Sequence, residues 1–186
     1  MSYDFQLRLE STAHAIASLL DSEDQVREIA WIISETFLNG GKLLVFGNGG
    51  SAADAQHFVG EFVGKLSTPR QPFPALALGS SFSVASAISN DFGYESVFSR
   101  ELKALGNPRD CAIGISTSGR SPNVLGGLKE AQTLGMKTVG IFGSFSPPEL
   151  QLSVTLNVDS TNTQVVQEVH TLALHVICEI WEDLIA

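Results

Sequence analysis

Basic residues are scarce in this chain. Eleven Lys and Arg stand against 20 Asp and Glu over 186 residues, a formal net charge of −9 at pH 7. Such a surface argues against broad binding to nucleic acid or anionic membrane, both of which need Lys/Arg patches. An anionic metabolite remains compatible, because a small site can be locally favourable inside an acidic protein. No apolar run approaches the roughly 20 residues needed to span a bilayer, and the polar, acid-bearing stretch Met1 to Glu10 does not read as a signal peptide. Cysteine is nearly absent. Cys111 and Cys178 lie in apolar surroundings with no Cys-x-x-Cys partner, so they read as buried thiols rather than a disulfide or metal framework. Gly-Lys-Ser/Thr is missing, which excludes a nucleoside-triphosphate P-loop. There is no internal repeat, low-complexity tract or linker. A cytoplasmic protein is the simplest reading.

The composition, 44% hydrophobic and 17% charged, is that of a globular chain, and the length favours one domain over 1–186. Residues 1–40 read as helices. Ile16, Leu19 and Leu20 sit at helical spacing, as do Ile29, Ile33 and Phe37. Ser22 with Gln25 resembles a capping box opening the second helix, and Gly40-Gly41 ends it. From residue 41 to 186 the pattern changes. Short apolar runs, Leu43 to Phe46, Ala75 to Leu78, Cys111 to Ile115 and Thr138 to Phe142, alternate with helical stretches. Val154 to Val158 alternates apolar and polar, as a half-exposed edge strand does. A last helix is expected from about Thr163 to Leu184. The fold class is therefore α/β, a parallel sheet covered on both faces, whose ligands bind beyond the carboxyl ends of the strands.

Two post-strand loops suit anions. The first is Gly47-Asn48-Gly49-Gly50-Ser51, followed by the helix-favouring Ala52-Ala53-Asp54-Ala55-Gln56. Glycines let the backbone approach a ligand closely, and the following helix offers free N–H groups and a positive dipole end. The segment also satisfies a loose dinucleotide pattern. That reading wants an acid about 20 residues on, and Gly79-Ser80-Ser81 supplies none. The second loop is Ser116-Thr117-Ser118-Gly119-Arg120-Ser121-Pro122, four hydroxyls at a strand-to-helix turn. Ser121 can cap the helix and Pro122 suits its first position. Convergent hydroxyls beside free N–H groups suit a phosphate monoester.

A third constellation has metal-ligand chemistry. His57 and Glu61, four apart, share a helix face. Gln167 and His175, eight apart in the terminal helix, are offset by only about 80°. Imidazole, carboxylate and amide oxygen suit zinc or a similar divalent ion. Spacing alone does not choose between His170 and His175, and it does not pair one helix with the other. His14 reads as incidental.

Taken in order, Gly47-Asn48-Gly49-Gly50-Ser51, His57-Phe58-x-x-Glu61, Asn90-Asp91-Phe92-Gly93-Tyr94, Gly114-Ile115-Ser116-Thr117-Ser118-Gly119 and Gln167-Glu168-Val169-His170 resemble the sedoheptulose 7-phosphate (phosphoheptose) isomerases of the sugar isomerase (SIS) domain superfamily. The resemblance covers nearly the whole chain. It implies a single SIS domain with a five-stranded parallel sheet, and a homotetramer assembled with the help of the helices of 1–40. It implies conversion of sedoheptulose 7-phosphate to an aldoheptose 7-phosphate in heptose biosynthesis. By the same resemblance His57, Glu61, Gln167 and His175 hold a divalent metal, most simply zinc. Asn48, Gly49, Gly50, Ser51, Glu61, Asn90, Asp91 and Gln167 then contact substrate, while Ser116, Thr117, Ser118 and Ser121 hold its phosphate. Glu61 becomes the general base of an enediol isomerisation and His175 the proton shuttle. The chain departs from the family at Lys65 (for Arg), at Gln164 (for Asp in some members) and over Gly143 to Pro148. Two alternatives stand beside this reading: a non-catalytic SIS-domain protein of the kind that associates with the bacterial replication initiator, and an isomerase of another sugar phosphate.

Overall fold

A computed structural model of the chain describes residues 4–186, so the start of the Met1 to Glu10 stretch lies outside the described residues. Helix α1, Phe5–Ala17, begins where the Asp4 carboxylate accepts the Leu7 N–H at 3.0 Å. A 3-10 turn, Ser18–Ser22, leads into α2, Glu23–Leu38. The expected capping box does not form. Ser22 holds the cap position without a side-chain bond, and Glu23 and Asp24 complement the positive end of the helix instead. Gly40 ends α2 as expected, in the left-handed region at φ 71°.

Strands and helices then alternate: β1 Leu43–Gly47, α3 Gly50–Val63, β2 Ala75–Ala77, α4 Phe82–Phe92, α5 Val97–Leu105, β3 Cys111–Ser116, α6 Pro122–Thr133, β4 Lys137–Phe142, β5 Val154–Asn157 and α7 Thr163–Ile185. All four pairings are parallel, in the order β2-β1-β3-β4-β5. The two edge positions fall to the short β2 and to β5, whose Val154 and Leu156 are buried while Thr155 and Asn157 are half-buried. That is the half-exposed edge read from its alternation. Each central strand feeds two cores. Leu43, Val45, Ile113 and Ile141 meet Ile29 and Ile33 of α2, Phe58 and Phe62 of α3, and Ile177 and Trp181 of α7. Leu44, Phe46, Ala112 and Phe142 meet Phe98 and Leu102 of α5 and Val124 and Leu128 of α6. Both cysteines are buried and unpaired, as expected. No helix among the described residues is long and apolar enough to cross a membrane.

One polar knot ties the far ends of α3 and α7 together. Glu182, buried near the end of α7, accepts the backbone N–H groups of Ser67 at 3.1 Å and Thr68 at 3.2 Å. It also meets the Arg70 guanidinium at 3.2 Å. Arg70 lies 4.7 Å from the Trp181 ring and donates to the carbonyl oxygens of Glu61 and Phe62. Burial alone would raise the Glu182 carboxyl. The backbone donors and Arg70 outweigh it and hold the group below the ordinary carboxylate range. Stability from this carboxylate is therefore present above the ordinary value of about 4.3 and is lost as pH falls through the lowered one. Glu182→Gln should cost about 2 kcal/mol at pH 7, the scale of hydrogen bonds to a charged group, and lower the melting temperature by roughly 4–8 °C. Melts recorded from pH 7 to pH 3 should show the gap between the two proteins narrowing below about pH 4.

Candidate functional site

Two neighbouring strands set the site. β1 lies beside β3 with Gly47 opposite Ile115, so the loops that leave their carboxyl ends emerge side by side. The strand order reverses direction here, which opens the crevice where such sheets take ligands. The glycine loop turns at Gly49, φ 56°, and then enters α3 at Gly50. The serine loop turns at Gly119, φ 63°, against the backbone of Phe145. In the serine loop the Ser116 hydroxyl lies 3.1 Å from that of Ser121 and 3.5 Å from that of Ser118. Ser121 stands at the cap position of α6 but its hydroxyl caps nothing. It turns toward Ser116, contrary to the simple capping role, and the first turn of α6 stays unprotected by it. Three hydroxyls and a helix N-terminus thus converge, the environment a phosphate monoester needs. The departing 143–148 segment contributes here: the Arg120 guanidinium packs 4.1 Å from the Phe145 ring.

The glycine and serine loops are joined by a pair of amides. Asn48 and Asn123 exchange two hydrogen bonds of 2.8 Å, and the Tyr94 hydroxyl donates to Asn48 Oδ1 at 2.8 Å. Tyr94 brings the 90–94 segment to the glycine loop. Asn90 and Asp91 are exposed on α4 and bonded to each other at 2.8 Å. Ser51 is buried beneath the loop against Gly47, only 3% exposed, so its side chain faces inward rather than toward the crevice. Asn123 escaped sequence reading, since an Asn in the first turn of a helix carries no distinctive pattern.

Helices α3 and α7 supply the remaining groups. His57 Nε2 lies 3.1 Å from Glu61 Oε1 and 3.2 Å from His175 Nε2, and the two imidazole rings stand at 75° to each other. Ligands about 2.0–2.1 Å from a tetrahedral zinc are separated by about 3.3 Å, so this spacing fits the edges of such a coordination shell. One ligand atom from each of His57, Glu61 and His175 lies within 4.8 Å of the others. Gln167 sits two turns before His175, and its amide packs against Gly50 so closely that a Cβ there would lie 2.3 Å from Nε2. Packing separates the two histidines. His170 is fully buried, bonds the Phe142 carbonyl oxygen at 3.1 Å, and is held neutral by burial, its pKa lowered to about 4. Asp54, one turn before His57, accepts the Thr171 hydroxyl at 2.9 Å and braces α3 against α7. Burial raises its carboxyl, against the pull of Thr171 and His57.

The geometry predicts one divalent ion per chain. Titration of metal-free protein with cobalt(II), followed by its visible absorption, should saturate at one equivalent. His175→Ala should weaken that affinity by more than about 100-fold, since even outer-shell changes cost tenfold or more.

Residues 9–143 match the SIS domain family. The chain is 44% identical to the phosphoheptose isomerase of Aquifex aeolicus over 87% of this chain and 85% of that one. It is 42% identical to the phosphoheptose isomerase of Helicobacter pylori over 95% and 94% respectively. A solved phosphoheptose isomerase from Francisella tularensis superposes with a TM-score of 0.90 at 32% identity, covering 96% of both chains. By fold, by sequence and by extent of match, this chain belongs to the SIS domain family, among its phosphoheptose isomerases.

Proposed function

We propose that this protein isomerises sedoheptulose 7-phosphate to an aldoheptose 7-phosphate, through an enediol, in heptose biosynthesis. The observation that carries the reading is that α3, which starts from the glycine loop beside the serine loop, brings His57 and Glu61 against His175 of α7. The serine loop, through Ser116, Thr117, Ser118 and Ser121, anchors the phosphate. Binding energy from this remote group positions the reacting carbons. Asn48, with the backbone at Gly49 and Gly50, and Asn90 and Asp91 of the neighbouring segment, contact the sugar. Ser51 serves through its backbone, since its side chain is buried.

His57, Glu61, Gln167 and His175 are the residues that would hold the metal, zinc or a similar divalent ion. Bound there, it would supply Lewis-acid chemistry, polarising the substrate carbonyl and easing the build-up of negative charge. The proton chemistry belongs to the chain. Glu61 removes the C1 proton of the ketose, His175 carries the O1 proton to O2, and Glu61 returns a proton to C2, which leaves the aldehyde at C1. Glu61 has two oxygens, and His57 approaches Oε1, which leaves the other to the substrate proton. Lys65 retains a positive charge where the family carries Arg, without the bidentate fork.

Assembly is supported by apolar surface. Helix α4 buries none of its residues, and Phe82 is 84% exposed. Phe5, Leu7, Leu20 and Leu38 of the N-terminal helices are exposed as well. So much exposed apolar side chain supports a protein–protein surface, and the assembly proposed for it is the homotetramer, each subunit one SIS domain over 1–186, at work in the cytoplasm. Sedimentation should give a tetramer, and Phe82→Asp should shift it to smaller species.

The decisive experiment follows sedoheptulose 7-phosphate in D₂O by NMR with metal-replete protein. Conversion to an aldoheptose phosphate with deuterium at the reacting carbon is expected. Glu61→Gln should lower conversion by at least about 100-fold while the fold persists. Near-normal turnover by a folded Glu61→Gln protein removes Glu61 as the base, and no conversion by the folded, metal-loaded wild type overturns the substrate.

A further inference from the structure

We infer that Asn123 and Tyr94 are positioning residues: they lock the Asn48 carboxamide so that it offers the substrate one N–H donor and no acceptor. The inference rests on the reading of Asn48 as a substrate contact. The orientation follows from a chain of forced assignments. The Val124 backbone N–H can only donate, and it does so to Asn123 Oδ1 at 3.0 Å. That fixes which end of the Asn123 amide is oxygen. Its Nδ2 must then face Asn48 and donate to Oδ1, while Asn48 Nδ2 donates back to Asn123 Oδ1. With Asn48 so fixed, the Tyr94 hydroxyl at 2.8 Å acts as donor to the same Oδ1. Both acceptor sites of Asn48 Oδ1 are now filled, and one of its two N–H bonds is engaged. The remaining N–H points away from the pair by trigonal geometry.

The locking matters because a carboxamide is nearly symmetrical in shape and opposite in polarity at its two ends. An unlocked Asn48 would spend part of its time offering oxygen to an oxygen-rich ligand. Asn123 is only 3% exposed, and its two bonds to Asn48 are partly buried. It sits in the first turn of α6, directly after the serine loop, while Asn48 belongs to the glycine loop. The lock thus also sets the distance between the two loops. Tyr94 makes it conditional on the 90–94 segment being in place.

The test is a double-mutant cycle on turnover of sedoheptulose 7-phosphate, with a solvent-exchange readout alongside. Asn48→Ala and Asn123→Ala should each lower kcat/KM by about tenfold, the scale of one hydrogen bond. The double variant should fall no further than Asn48→Ala alone, because Asn123 acts through Asn48. Tyr94→Phe should show a smaller loss in the same direction. Multiplying losses, near 100-fold in the double variant, or wild-type kcat/KM in Asn123→Ala, overturn the inference. Asn123→Asp keeps the shape and the Val124 bond but removes the donor to Asn48 Oδ1, so it guards against a variant that fails to fold. Turnover by Asn123→Asp should fall as it does in Asn123→Ala. In ¹⁵N spectra of wild-type protein, the bonded Asn48 side-chain proton should exchange with solvent slowly, and at least tenfold faster in Asn123→Ala, which removes its acceptor. Equal exchange in the two proteins overturns the lock whatever turnover shows. Slow wild-type exchange in a protein that leaves sedoheptulose 7-phosphate untouched sinks the substrate reading alone.

Discussion

Everything at the crevice depends on the parallel pairing of β1 with β3. Because both strands run the same way and end together, Gly47 opposite Ile115, the chain after each must leave from the same edge of the sheet. Two loops distant in sequence then meet without either needing a rigid conformation of its own. Their meeting is secured by side chains rather than backbone, the amide pair of Asn48 and Asn123. The sheet supplies nearness, and the amides supply register.

A second constraint acts behind the sheet edge. The side chains of His57 and Glu61 are useful only if α3 holds a fixed rotation and depth against α7. Apolar packing around Trp181 sets the depth, with Phe62 and Phe37 at 4.8 Å and 5.5 Å from its ring. Polar contacts fix the rotation at both ends: Asp54 with Thr171 on one side of the ligand group, and Arg70 with Glu182 on the other. Since Arg70 grips the carbonyl of Glu61 itself, the brace reaches the proposed base through its own backbone. Non-directional burial and directional hydrogen bonds divide the work in the way their physics allows.

The sheet was legible in the sequence because buried parallel strands read as apolar runs, and each run proved to be a strand. The His57–Glu61 pair was legible for the same periodic reason, four residues being one helical turn. What periodicity could not give was contact between distant elements. Nothing in the spacing of α7 distinguished His170 from His175; the difference is that one faces the Phe142 carbonyl in the core and the other faces α3. Ser22 and Ser121 show the limit of local rules. Both stand at cap positions, and neither hydroxyl caps, because a competing neighbour or a charged first turn serves better. Asn123 was invisible for want of any pattern, although it joins the two loops that pattern did reveal.

Gly50 has a history implied in its surroundings. Its companion Gly49 is glycine for the sake of φ, but Gly50 is glycine because the Gln167 amide occupies the space a side chain would take. The two positions therefore touch each other. A lineage that acquired alanine at position 50 would push the Gln167 amide aside, out of the place it holds against the start of α3. Glycine at 50 is thus what leaves the amide of residue 167 its place, rather than a requirement of the backbone turn.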